Sequence, residues 1–170
     1  YMIKAFSFKP YDDDLLVDYL KEYTNKNVCC SKYPNCTHPK KQSDAYVFDD
    51  DNKTVQYLKE QYHKILKDLF GPRKIKLSKA WILHVNKKEK TPAIWHKHSE
   101  DQYKNNIQVS GICYLTPTTI GTEFDSTFFT MQIKPMGYTW YLWDSNNLHR
   151  PMEGLQKTDR LILATQTVLN

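Results

Sequence analysis

Glycine is scarce, with 5 in 170 residues, and no internal repeat or low-complexity segment is visible. With an ordinary apolar fraction beside that scarcity, the composition is that of a globular chain and excludes a disordered one. No apolar run approaches the 18 residues that a membrane-spanning helix needs. Tyr1 to Lys4 lack the apolar core of a signal peptide. The lysines are scattered and form no block of five or six, so the formal net charge of +5 reads as a solvated basic surface rather than a nucleic-acid footprint. Cysteine is sparse too. Cys29, Cys30 and Cys36 cluster with His38, but the spacing matches no common zinc pattern, and adjacent cysteines are awkward ligands for one ion. That segment reads as a polar loop with reduced thiols, and Cys113 as a small hydrophobe in an apolar strand. The expected compartment is a reducing cytoplasm.

What is present begins with aromatics: 12 Tyr, 7 Phe and 4 Trp. A chain of this length is one domain by the soft prior and buries roughly 70% of its unfolded surface without staples. Residues 3–9 read as a short strand ended by Pro10. Asp12 to Asp14 supply a cap and a negative first turn for a helix over 13–23, where Leu15, Leu16, Tyr19, Leu20 and Tyr23 recur at helical spacing. A short strand is expected at 45–48. Val55, Leu58, Tyr62, Ile65, Leu66 and Leu69 mark a second helix that Gly71 and Pro72 terminate, with His63 on its polar side. Beyond residue 73 the pattern changes to short β-type runs at 75–85, 93–98, 107–115, 127–133, 138–143 and 160–169. The expected architecture is mostly β with N-terminal α-helices. Residues 1–72 form a helical support region, and 73–170 form a double-stranded β-helix, or jelly roll, within a single domain.

Two stretches carry the chemistry: Trp95-His96-Lys97-His98 and Leu148-His149-Arg150-Pro151. On a strand, side chains at i and i+2 share a face, so His96 and His98 project together and form half of a metal site. His149 follows an aromatic β run and a turn, and is the best third ligand. Imidazole suits Fe, Zn, Cu and Ni alike, so residue type does not name the ion.

The order of motifs is wider than this. His96-x-His98 is followed by Ser110-Gly111-Ile112-Cys113-Tyr114-Leu115 and by Gly121-Thr122-Glu123-Phe124. Then come Lys134-Pro135-Met136-Gly137, Tyr141-Leu142-Trp143-Asp144, His149-Arg150-Pro151 and Asp159-Arg160-Leu161-Ile162. Over residues 79–170 that order resembles the 2-oxoglutarate and Fe(II)-dependent oxygenases. The prolyl-hydroxylase-like branch fits best, in particular its small phage and marine-bacterial type.

The resemblance implies Fe(II) held by His96 and His149, with His98 standing at the third ligand's place, and 2-oxoglutarate and O2 as co-substrates. It implies that Arg160 grips the far carboxylate of 2-oxoglutarate through its planar fork. Tyr114 matches a tyrosine whose hydroxyl touches the same carboxylate, and Ser110, on the same strand face, adds a further contact. One departure matters, because many relatives have Asp where this chain has His98. Three arrangements stay open: His98 ligates, Glu100 or Asp101 swings in, or only two firm ligands remain. The implied activity is oxygenation, most simply hydroxylation, of an unnamed substrate. Two rivals stand beside it: a cupin-like three-His dioxygenase that ignores 2-oxoglutarate, and a non-enzymatic binding module on the same barrel.

Overall fold

The protein is described from a computed structural model covering residues 3–8, 13–29, 42–90 and 93–170. Its elements run β1 (Lys4–Ser7), α1 (Asp13–Lys26), α2 (Lys53–Phe70), β2 (Ile75–Val85), β3 (Ile107–Tyr114), β4 (Thr122–Asp125), β5 (Thr130–Ile133), β6 (Thr139–Asp144), β7 (His149–Pro151) and β8 (Arg160–Leu169). The strands form two antiparallel sheets. The major sheet has the order β1-β6-β3-β8-β2 and the minor one β5-β4-β7. Two such sheets facing each other are the jelly roll expected above, with the helices on the outer face of the major sheet.

Side-chain parity explains how one strand serves both faces. All ten residues of β8 are buried, as expected of a central strand covered on both sides. Leu161 and Leu163 turn to the helices, where they join Leu16, Leu20, Leu58, Tyr62 and Leu66. Ile162 turns inward and packs with Ile112, Tyr114, Phe124 and Trp143 between the sheets. Arg160 shares the parity of Ile162 and therefore faces inward too.

The second helix forms where its periodicity places it. The Asn52 side chain accepts from the amides of Thr54 and Val55 at 2.9 and 3.2 Å, which satisfies two of the donors that a helix start leaves open. Gly71, at φ +76°, closes the other end with its amide on the Lys67 carbonyl. The Tyr62 hydroxyl then reaches through to Thr167 Oγ1 at 2.9 Å and fixes the helix over β8.

Several expectations are corrected. Residues 93–98 are extended but not a strand, and only His96 makes a ladder contact, a single bridge to His149. The run expected at 127–133 begins at Thr130. Ser126 donates to the Phe129 carbonyl at 3.1 Å, so these residues make the turn of the β4–β5 hairpin. Residues 45–48 give a 3-10 turn over Val47–Asp49, with Val47 and Phe48 buried. His63 is half-buried against Phe48 rather than solvated, with ring centroids 6.2 Å apart, and burial pushes its pKa down. Cys113 is buried as expected. Cys29 is half-buried, while Cys30, Cys36 and His38 lie outside the described residues. Among the described residues no helix is long and apolar enough to cross a membrane.

Gly121, just before β4, is pressed against the end of β5 in the minor sheet. A Cβ there would meet the backbone carbonyl of Ile133, which cannot swing aside, and Pro135 Cδ at 3.1 Å. Gly121→Ala should therefore cost about 1–3 kcal/mol, the usual range for overpacking. Gly137→Ala, with nothing within 4 Å of the added methyl, should change stability by no more than about 0.5 kcal/mol. Urea midpoints for the two variants check the contrast.

Candidate metal centre

His149 opens β7, and His96 lies directly opposite it. Each backbone amide donates to the other residue's carbonyl at 3.0 Å. His98 follows two residues later, so its ring falls on the same side. Ring centroids are 4.4 Å apart for His96 and His149, 4.9 Å for His96 and His98, and 5.1 Å for His98 and His149. One nitrogen from each ring lies within 4.8 Å of the others, a spacing that a single ion can bridge. His96 lies toward solvent, His98 is half-buried and His149 is buried.

Two rings are turned deliberately. Nδ1 of His96 lies 2.8 Å from the Ile94 carbonyl, and Nδ1 of His149 lies 2.9 Å from the Asn147 carbonyl. A carbonyl only accepts, so each Nδ1 carries the proton and each Nε2 keeps its lone pair for a metal. Burial, reinforced by the other two imidazoles and by Lys79, holds the His98 pKa down to about 3. Burial outweighs the Asn147 carbonyl and holds His149 down to about 4. Both rings are neutral near neutral pH, the state in which imidazole binds metal. Donor set, tautomer and charge all fit a divalent ion of the kind that imidazole favours.

The acids considered as alternative ligands are occupied or remote. The Glu100 carboxylate accepts from Lys79 at 3.0 Å, Gln102 at 2.7 Å and Gln166 at 2.9 Å. Asp101 starts an exposed 3-10 turn.

The triad stands at one end of a cavity of about 330 Å³ between the sheets, and Arg160 stands in the same cavity. Arg160 is 1% exposed. Its Nε donates to the Ile120 carbonyl at 3.2 Å, while Nη2 is buried with no partner among the described residues. Burial lowers the guanidinium pKa and the adjacent Tyr114 raises it again, but an arginine remains charged throughout. Its carbon lies 5.7 Å from the Tyr114 ring centroid. The Tyr114 and Thr122 hydroxyls are 2.7 Å apart. No Asp or Glu lines the cavity among the described residues. A buried cation lacking an acidic partner is costly, and an anion in the cavity would offset that cost.

Arg160, Tyr114 and Thr122 thus come together. Ser110 goes elsewhere. It lines the same cavity, but its hydroxyl is 2.9 Å from that of Ser145, whose carbonyl accepts the His98 and Ser99 amides. Four residues of β3, about 13 Å of strand, separate it from Tyr114, so it stands at the triad's end of the cavity. Sequence reasoning passed over Thr122 and Gln166. Thr122 lies in a strand too short to show periodicity. Gln166 has the parity of Arg160 on β8, a signal that could have flagged it.

The two low histidine pKa values set a pH dependence. Unfolded, His98 and His149 titrate near the ordinary 6.5; folded, they titrate at about 3 and about 4. Between those limits the unfolded chain binds more protons, so stability rises with pH: it is full above about 6.5 and falls as pH drops toward 4. The urea midpoint of metal-free protein should decline over that window, and less steeply in His98→Gln. An equally steep decline in the variant would contradict the assignment.

No protein-family model matches this sequence, nor does any curated protein. Solved structures do. A prolyl hydroxylase from Trichoplax adhaerens, in complex with a hypoxia inducible factor oxygen degradation domain peptide fragment, superposes with a TM-score of 0.69 at 13% identity. The match covers 98% of this chain and 83% of that one. The non-heme alpha ketoglutarate dependent carbocyclase SnoK of nogalamycin biosynthesis gives 0.70 at 9% identity, over 98% and 79%. A Pseudomonas putida prolyl-4-hydroxylase gives 0.60 at 12% identity, over 99% and 86%. The chain has the jelly-roll fold of the prolyl hydroxylases and other 2-oxoglutarate and Fe(II) oxygenases, with a candidate three-histidine metal site inside it.

Proposed function

We propose that this protein is an oxygenase that uses Fe(II), 2-oxoglutarate and O2, with hydroxylation of a substrate carbon as its simplest outcome. The observation that carries the reading is a cavity with a three-histidine cluster at one end, a buried guanidinium toward the other, and no acid lining it among the described residues. Three imidazoles able to share a divalent ion stand at one end, and the unpaired Nη2 of Arg160 lies toward the other. A short dicarboxylate answers both ends at once, and 2-oxoglutarate is one.

On this reading His96, His98 and His149 hold the iron. Bound iron and 2-oxoglutarate supply O2-dependent oxidation, with succinate and CO2 as products; the chain itself orients and shields. Arg160 receives the far carboxylate through Nη2 while Nε stays on the Ile120 carbonyl. Tyr114 stays protonated, since burial pushes its pKa up, and its hydroxyl can donate to the same group. Ile112, Ile162 and Trp143 wall the space and exclude water from it. Ser110 steadies the metal end through Ser145 rather than meeting the co-substrate.

The three-histidine set favours a second reading, a cupin-like dioxygenase with no use for 2-oxoglutarate. The buried Nη2 of Arg160, without a partner among the described residues, speaks against it, because such an enzyme has nothing to place there.

Anaerobic protein with Fe(II) and 2-oxoglutarate should show a weak visible charge-transfer band. Arg160→Met should weaken 2-oxoglutarate binding by a factor of thirty or more, since stripping one partner from a buried charged contact costs about 2–5 kcal/mol. Metal affinity should stay as it was. Absence of the band together with no 2-oxoglutarate binding by calorimetry would defeat the proposal. Oxygen consumption indifferent to Arg160→Met would favour the second reading.

A further inference from the structure

His98 is the odd member of the triad. His96 and His149 each have a ring nitrogen fixed on a carbonyl two residues earlier. The His98 ring has no hydrogen bond of its own among the described residues; its recorded ring neighbours are Trp81, with centroids 5.3 Å apart, and the other two histidines. Nor does the segment around it belong to a strand. Whatever aims this imidazole must act through the backbone that carries it.

Three side chains of the major sheet do so. Gln166 of β8 uses both amide protons: one goes to the His98 carbonyl at 2.6 Å, the other to the Glu100 carboxylate at 2.9 Å. Gln108 of β3 takes the Glu100 amide on its oxygen at 2.8 Å and returns its own N–H to the Glu100 carbonyl at 3.0 Å. That is the pair of bonds a neighbouring strand would make, supplied instead by a side chain. Lys79 of β2 closes the arrangement on Glu100 at 3.0 Å. Lys79 stands beside Gln166 in register, and Gln108 shares a face of β3 with Ser110, which also faces Gln166. All three reach residues 98–100 from one end of one sheet face. On the other side the His98 amide is held by the Ser145 carbonyl at 3.1 Å.

We infer that Gln166 is the positioning residue of the metal centre, and that with Glu100, Gln108 and Lys79 it forms a clamp holding His98 against the other two imidazoles. The inference rests on the reading of the triad as a metal site. It gives Glu100 a role other than ligand. The carboxylate in the position where a ligand acid was conceivable is the anchor of the ligand beside it. A buried glutamine that spends both donors on this segment, at 6% exposure, has little other purpose on that face.

Cobalt(II) serves as the probe, since its visible bands report ligand number. In the parent protein, His98→Ala should shift those bands to a reference spectrum for the two-histidine site. Gln166→Met keeps the volume and removes the donors. It should weaken Co(II) affinity about 10- to 100-fold, as loss of a supporting partner does, and move the spectrum toward that of His98→Ala. Glu100→Gln retains an acceptor for Gln166 and should restore nearly the parent spectrum, which a ligand carboxylate could not do. In metal-free protein, NMR of the histidine rings should show His98 displaced in Gln166→Met, with His96 and His149 in place. Should Gln166→Met fold poorly, Lys79→Met, at the half-exposed outer end of the clamp, should displace the same resonance by less. Parent-like Co(II) affinity and spectrum in Gln166→Met would overturn the clamp and leave the metal site standing. Failure of the parent to bind Co(II) through these histidines would overturn both.

Discussion

The mutual pair of backbone hydrogen bonds between His96 and His149 is the constraint on which the site depends. It is the single point at which the extended segment 93–98 joins the minor sheet. Opposed residues in such a pair have α-carbons about 5.5 Å apart and side chains on the same face. That alone brings two imidazoles within reach of one ion. The i, i+2 relation then adds the third. A slip of one residue in this pairing would turn His96 and His98 outward together and put Lys97 where they stand.

The cavity behind the triad is apolar in its walls and cationic in its few charged contacts. Burial keeps His98 and His149 neutral, so an ion bound there brings two charges that the protein does not cancel. Arg160 adds another, deep between the sheets and only partly bonded. A protein that needed only stability would replace such a guanidinium with a hydrocarbon side chain. Its retention at 1% exposure makes sense for a site completed by an anionic ligand. The helices take no part in this chemistry. They cover the outer face of β8, packing on Leu161 and Leu163.

Much of this was legible in the residues. The ends of β2 and β8 and the stripe of the second helix follow from simple periodicity, because those elements are long enough to show it. Parity pairs His96 with His98 and puts Arg160 on one face with Ile162 and Ala164, and the family resemblance makes that face the inner one. The three-residue β7 and the four-residue β4 carry no readable pattern, so the residue that meets Tyr114, Thr122, was missed. Ser110 was grouped with Tyr114 because they share a face. Parity says nothing about distance along the strand, and Ser110 lies at the opposite end. Segment 93–98 looked like a strand because its residues alternate as a strand's do. Beyond the single bridge at His96 it has no ladder, and at residues 98–100 side-chain amides of Gln166 and Gln108 make bonds of the kind a strand neighbour would make.

That substitution of side chains for a strand partner bears on the departure at His98. A carboxylate ligand brings its own charge to the metal, and Coulomb attraction helps to hold it in place. A neutral imidazole brings none, so its position must be fixed by geometry alone. Two of the three rings achieve this with a bond from Nδ1 to a carbonyl nearby. The third, at the position where an acid would have been held electrostatically, lacks that bond and sits where the backbone is fastened most heavily, by Gln166, Gln108 and the Ser145 carbonyl. An acid does stand two residues along, at Glu100, where its charge meets Lys79 and an oxygen accepts from Gln166. A three-imidazole centre would rely on geometry rather than charge to hold its ligands, and would leave a bound ion's full positive charge to be met by what enters the cavity.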